Sequence, residues 1–83
     1  MDLTSGTLIT VKNKQYIILE TIIYNNDNYA FTNEVIGDEE LTENYHIFKI
    51  VDNEVKLIID DQLINILLPK FQEKLRKTIE NVF

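Results

Sequence analysis

The chain contains no cysteine, and it has only one proline and two glycines among its 83 residues. Without thiols it can form neither a disulfide framework nor a thiolate metal site, and a disulfide-free domain is typical of a reducing compartment. No apolar run approaches the roughly 20 residues that cross a bilayer, and the N-terminus lacks the basic and apolar regions of a signal peptide. We therefore expect a cytoplasmic protein that does not enter the membrane.

Hydrophobic residues make up 45% of the chain, so it carries enough apolar surface to fold rather than remain disordered. The length suits a single domain over 1–83. Runs rich in β-branched and aromatic residues predict four or five strands over about 7–59. The strongest hairpin signal is Asn25–Asn28, because Asn and Asp tolerate positive φ. The acidic segment Gly37–Asn44 is expected to be a loop. The connections are too short for crossovers, so the sheet should be an antiparallel meander.

A helical region is expected over about 61–82, with Asp60 or Asp61 as its N-cap. Apolar residues recur there at steps of three and four, which predicts one apolar stripe. Pro69 lacks a backbone donor and disfavours helix at Leu68, so we expect a break and a second helix that starts near Pro69. A single kinked helix is the alternative. Either form gives an α+β fold with helical structure packed on one sheet face. The stripe consists of Ile64, Leu67 or Leu68, Phe71, Leu75, Ile79 and Val82.

The long predicted strand Gln15–Tyr24 is apolar on both faces. Strict alternation directs one set of side chains to one face and the second set to the other: Tyr16, Ile18, Ile22 and Tyr24 against Ile17, Leu19 and Ile23. Leaving the second set in water would forfeit about 1.5–3 kcal/mol per side chain. The sheet can curl into a partial barrel, two helical segments can cover both faces, or another chain can cover the second face.

The third possibility supplies the candidate protein-interaction residues, all of which are core residues under the other two interpretations. The partner is another protein or a second copy of this chain, as in a homodimer. The candidates are Ile17, Leu19, Ile23, Phe71, Leu75 and Ile79.

Residues that could perform catalysis are few. His46 is the only histidine and is expected on the strand face of Phe48 and Ile50, without a patterned partner. Ser5, the only serine, is near the N-terminus. The acids of the predicted loop do not follow the calcium-loop spacing. Glu20 interrupts an apolar strand and is expected to face a lysine across the sheet or to mark an edge. The sequence therefore predicts no enzyme, no metal site and no cofactor.

Charge is divided unequally along the chain. The net charge is −6, with −8 over 1–68 and +2 over 69–83. The acidic part repels nucleic-acid phosphates, and cations near a helix C-terminus are expected from the helix dipole alone. Nucleic-acid binding through the basic residues at this end is therefore not expected. These residues are Lys70, Lys74, Arg76 and Lys77.

The strings YIILETIIYNNDNYAF and EELTENYHIFKIVDNEVKLIIDDQLINIL resemble the small acidic YrzB-like proteins of Firmicutes, a family of unknown function. The resemblance covers about Thr7 to Phe71 and consists of apolar and acidic positions. The chain is less acidic than is usual for that family, and it carries the extra segment Lys70–Phe83. The resemblance implies a cytoplasmic protein of bacterial or phage origin. Because the function of the family is unknown, the resemblance implies no particular activity.

Two functional hypotheses follow. The first is a non-catalytic protein-interaction or regulatory module, with self-association as one form. The alternative is a phage-type inhibitor whose acidic surface mimics nucleic acid.

Overall fold

The computed structural model describes residues 4–37, 40–52 and 54–82, and for 78–82 it describes the backbone alone. Within these ranges, five strands are followed by one helix. Each strand pairs with the next in antiparallel order, so the predicted α+β meander is confirmed. The elements are β1 (Leu8–Val11), β2 (Lys14–Tyr24), β3 (Asp27–Ile36), β4 (Glu40–Val51), β5 (Glu54–Leu57) and α1 (Asp61–Val82). No helix in these ranges is long and apolar enough to span a bilayer.

Two tight turns set the first hairpins. Lys12 and Asn13 have φ of 50° and 69°, and Asn25 and Asn26 have φ of 50° and 67°. Two successive left-handed residues are the pattern of a type I′ turn, whose twist matches that of the flanking strands. Asparagine adopts this conformation more readily than most residues. The second turn is shorter than predicted, because Asp27 already begins β3.

A bulge in β2 overturns the expected alternation of its side chains. Ile18 pairs with Thr32, whereas Glu20 pairs with the neighbouring Phe31, so one extra residue lies between them. An inserted residue shifts all later side chains to the opposite face. Tyr16 and Ile18 therefore lie on one face of the sheet, and Ile22 and Tyr24 lie on the other.

The segment Gly37–Asn44 is only partly a loop, which corrects the sequence prediction. Strand β4 already begins at Glu40. The Thr42 hydroxyl donates to the carbonyl of Glu34 over 2.8 Å, and the Thr42 amide donates to Asn33 Oδ1 over 3.3 Å. These bonds hold polar residues of β4 beside an irregular stretch of β3. A strand held by polar side chains lacks the alternating hydrophobic pattern by which a strand is predicted from sequence. Asp38 and Glu39, also predicted in the loop, lie outside the described residues.

Helix α1 is capped as predicted and runs through Pro69 without a break. The Gln62 amide donates to Asp60 Oδ1 over 3.0 Å, as expected for an N-cap. The expected break at Pro69 is wrong. Pro69 and Asn65 are both exposed, so water can reach the Asn65 carbonyl that would have accepted the missing hydrogen bond. Packing of the apolar stripe on both sides of the proline then outweighs its local preference.

Two hydrophobic clusters lie on opposite faces of the sheet. The helix-face cluster contains Tyr29, Ile47, Leu67 and Phe71, and the helix covers it. The curled-face cluster contains Ile9, Tyr16, Ile18, Ala30 and Phe48.

The face opposite the helix is covered by curling of the sheet. Val11 of β1 and Val55 of β5 both pack against the curled-face cluster, although they belong to the two edge strands. In a flat five-stranded sheet these edges would lie about 19 Å apart. Val11 and Val55 also line the same cleft, so the sheet bends toward closure on this face. Of the three ways to cover the second face, the single chain has the first, and it covers that face only in part.

Candidate protein-interaction site

The predicted interaction residues do not form one surface in the described structure. Ile17 and Leu19 are half-buried, whereas Ile23 is 75% exposed. The bulge in β2 separates Ile17 and Ile23 onto opposite faces.

On the helix, Phe71 is completely buried and stacks on Phe31, with ring centroids 5.4 Å apart. Leu75 is partly buried. The backbone of Ile79 belongs to α1, but its side chain lies outside the described residues. A contact role for the predicted set stays a prediction, and Ile23 is the most exposed of those members whose side chains the structure describes.

The basic residues of the helix face groups of the protein itself. Lys74 Nζ lies 3.3 Å from Glu20 Oε1 and donates to the Thr21 carbonyl over 2.6 Å. Glu20 therefore pairs with a lysine of the helix, whereas the sequence predicted a lysine from across the sheet. Lys77 lies 3.7 Å from Glu73. These pairs reduce the positive charge that the helix could offer to a phosphate.

A cleft opens between the two edge strands β1 and β5. Its volume is about 590 Å³, within the usual range for ligand sites. Tyr16 and Phe48 form its floor, and their rings meet edge to face at 5.0 Å. Val11 and Val55 line it from opposite edges. This cleft exists because the sheet curls without closing, and we call it the edge cleft.

The β5 side of the edge cleft is apolar and exposed. Leu57 is 46% exposed and Ile59 is 80% exposed, and both line the cleft. They alternate with Ile58, which instead packs against the helix-face cluster. Edge strands normally carry charges or bulges that prevent pairing with other chains. On this edge, Leu57 at the end of β5 and Ile59 just beyond the strand present two large apolar side chains to the same cleft.

Three lysines, Lys12, Lys14 and Lys56, also line the edge cleft. They are three of the four basic residues among the first 68 residues of an otherwise acidic stretch. Lys14 lies 3.5 Å from Glu34. Among the described residues, neither Lys12 nor Lys56 has an acidic partner within 4.0 Å. Lys56 alternates with Val55 and Leu57 on β5, so its side chain starts from the other face of this edge strand. The cleft therefore combines an apolar floor with positive charge at its rim.

Glu34 is a buried carboxylate next to this cleft. Asn44 Nδ2 donates to Glu34 Oε2 over 3.0 Å, and Lys14 Nζ lies 3.5 Å from Oε1. The hydrogen bond from Asn44 is the main reason that the pKa of Glu34 is lowered from 4.5; burial opposes it and Lys14 adds to it. Sequence inspection missed this group, because Glu34 occupies an ordinary polar position of an alternating strand.

The lowered pKa of Glu34 predicts a loss of stability in acid. A carboxylate whose pKa is lower in the folded chain contributes stability above its unfolded pKa, near 4.5 here. That contribution disappears as the pH falls through the folded pKa. Urea midpoints from pH 7 to pH 3 should fall more steeply for the wild type than for Glu34→Gln. Identical pH dependence in the two proteins would show that Glu34 is not held as its ionised form.

A second groove runs between β4 and the helix, with a volume of about 410 Å³. One exposed member is Tyr45, which is 53% accessible and stacks on Phe31 with ring centroids 5.5 Å apart. His46 also lines this groove, and its ring meets Tyr16 edge to face at 5.5 Å, on the face of Phe48 as predicted. Strands line one side of this groove and the helix lines the other, and none of the described residues that line it is a lysine.

Within the described ranges, no three acidic or histidine side chains are grouped as metal ligands. All buried polar side-chain atoms there have a hydrogen-bond partner. Comparisons with protein-family models, curated proteins and solved structures found no match. The resemblance to YrzB-like proteins therefore stays a prediction.

Proposed function

We propose that this chain is a non-catalytic protein-interaction module that receives an extended segment of its partner along β5, at the edge cleft. The observation that carries the proposal is the exposed pair of Leu57, the last residue of the edge strand β5, and Ile59, two residues beyond it. An extended peptide can add to such an edge through backbone hydrogen bonds and place alternate side chains in a neighbouring pocket. The edge cleft supplies that pocket beside the strand.

The polar groups near the cleft support a non-catalytic role. A general acid at neutral pH needs a carboxyl group whose pKa is raised. Glu34 has a lowered pKa because Asn44 donates to its ionised form. The Thr32 hydroxyl donates to the His46 carbonyl over 2.9 Å, so it is also engaged in the sheet. These contacts favour a structural role for the polar side chains.

Self-association is the simplest form of the proposal. Two copies that pair along β5 would form a two-fold symmetric interface in which the same residues meet. Sedimentation velocity at increasing concentration tests this form directly. A strict monomer at high concentration would leave a different protein as the partner.

The nucleic-acid-mimic hypothesis has no comparable support. Mimicry needs unpaired carboxylates spaced along one face. Several carboxylates instead lie within 4.0 Å of lysines: Glu20, Asp27, Glu34 and Glu73. A cytoplasmic site of action, expected from the cysteine-free sequence, is part of our proposal and can be checked by cell fractionation.

A matched pair of variants tests the proposed surface. Ile59→Gln lies at the edge cleft, and Ile23→Gln lies at the far end of β2, outside the residues that line the cleft; the two side chains are 80% and 75% exposed. Both variants should fold with stability changes within about 0.5 kcal/mol. We expect Ile59→Gln to lose at least about fivefold in partner recovery, because a contact residue of this kind costs more than about 1 kcal/mol. Quantitative affinity capture with each full-length chain as bait measures this loss.

The comparison also separates the two candidate surfaces. Loss of the same partner with Ile23→Gln, and not with Ile59→Gln, would move the interface to the residues predicted from the sequence. Equal recovery of the partner with the wild type, Ile59→Gln and Ile23→Gln would contradict both candidate surfaces.

A further inference from the structure

We infer that the partner segment is an extended strand that carries acidic side chains next to apolar ones. This inference rests on the proposed function and specifies the chemistry of the occupant. It follows from the three lysines and the apolar floor that share the edge cleft.

The apolar requirement comes from strand geometry. Successive side chains of a strand point to opposite sides, so a segment paired with β5 places every second side chain toward the edge cleft. The accessible surface there is aliphatic, formed by Leu57 and Ile59. Tyr16 and Phe48 are only 7% and 1% exposed, so their rings are not open for bases to stack on. The floor therefore suits aliphatic side chains better than nucleobases, which bind by stacking on exposed aromatic rings.

The acidic requirement comes from local charge. The chain has a net charge of −6, so as a whole it repels another acidic molecule at long range. The cleft is different, because Lys12 and Lys56 have no acidic partner among the described residues and Lys14 has one, Glu34. Carboxylates of a bound segment would complete these pairs. A basic segment would instead bring like charges together, which selects against it.

A displayed library of random peptides of about ten residues, roughly the upper range of strand length, provides the probe. The full-length chain is the immobilised target. We expect selected peptides to combine aliphatic residues at alternate positions with at least two Asp or Glu. Amide chemical shifts of the labelled protein, recorded with one synthetic selected peptide, should change along β1 and β5.

Charge reversal then tests the lysines. Lys12→Glu combined with Lys56→Glu should weaken a selected acidic peptide by about five- to thirtyfold, from exposed ion pairs of up to about 1 kcal/mol each. The matched control is Lys70→Glu combined with Lys77→Glu, which changes the net charge equally on the helix and should leave the affinity within about twofold. Raised salt should reduce the difference between the two variants.

The outcomes separate the inference from the proposed function. The inference of an acidic partner fails if the selected peptides bind at the edge cleft without acidic residues. It also fails if a selected acidic peptide binds the two double variants with equal affinity. Either result leaves the proposed interaction module intact. If no peptide is selected, or if selected peptides shift amides only outside β1 and β5, the proposed function fails as well.

Discussion

Replacing Phe71 by alanine should destabilise the protein by about 3–5 kcal/mol, the usual cost of removing a buried phenylalanine side chain. Phe71 is completely buried, belongs to the helix-face cluster and stacks on Phe31. A chain of 83 residues has a total stability of only about 4–12 kcal/mol. The variant should therefore show a large population of unfolded molecules at moderate urea. Urea titration followed by far-UV circular dichroism at 25 °C measures the change.

The control for Phe71 is on the same helix. Ile66 is 43% exposed, so Ile66→Ala should cost no more than about 1 kcal/mol. If Phe71→Ala were no more destabilising than Ile66→Ala, the helix would not pack on the sheet through Phe71. Phe71 would then be available to a partner, as one interpretation of the sequence proposed.

Local sequence patterns were sufficient to predict the order of the elements. β-Branched runs separated by Asn-rich turns predict the strands, and the stripe after Asp60 predicts the helix. These signals are strong because each residue type favours its own backbone conformation or buries one face. The meander also follows from short connections, which require no knowledge of distant contacts.

The sequence predictions that the structure corrects concern segments whose local structure depends on contacts with distant residues. The bulge between Ile18 and Glu20 depends on pairing with β3 and has no glycine to mark it. Strand β4 extends back to Glu40 because Thr42 bonds to β3. The helix continues through Pro69 because its stripe is buried on both sides. In each case an interaction with a neighbouring element outweighs local preference.

Sequence patterns could not predict the candidate site for a related reason. The edge cleft is lined by residues of both β1 and β5, which are the first and last strands of the sheet. Only the curvature of the sheet determines whether these edges meet, and curvature arises from twist and bulges rather than from composition. The one available signal was the two-sided apolar pattern of β2. It correctly raised the question of what covers the second face.

Replacing Phe48 by alanine should also cost about 3–5 kcal/mol, through the opposite face of the sheet. Phe48 is 1% exposed in the curled-face cluster, which the helix does not cover. Tyr45→Ala on the same strand is the control, because Tyr45 is 53% exposed. It loses mainly its stack on Phe31, worth about 0.5–1.5 kcal/mol. Equal effects of the two changes in urea titration would mean that the curled face is not a packed core.

A double-mutant cycle tests whether the two faces are independent, with leucine substitutions that keep the protein folded. Phe48 and Phe71 belong to separate clusters, so the effects of Phe48→Leu and Phe71→Leu should add to within about 0.5 kcal/mol. Phe31→Leu combined with Phe71→Leu should deviate from additivity by about 0.5–1.5 kcal/mol, because these rings stack. Strong coupling between Phe48 and Phe71 would mean one continuous core. The curled face would then depend on the helix, and the edge cleft would not be an independent consequence of curvature.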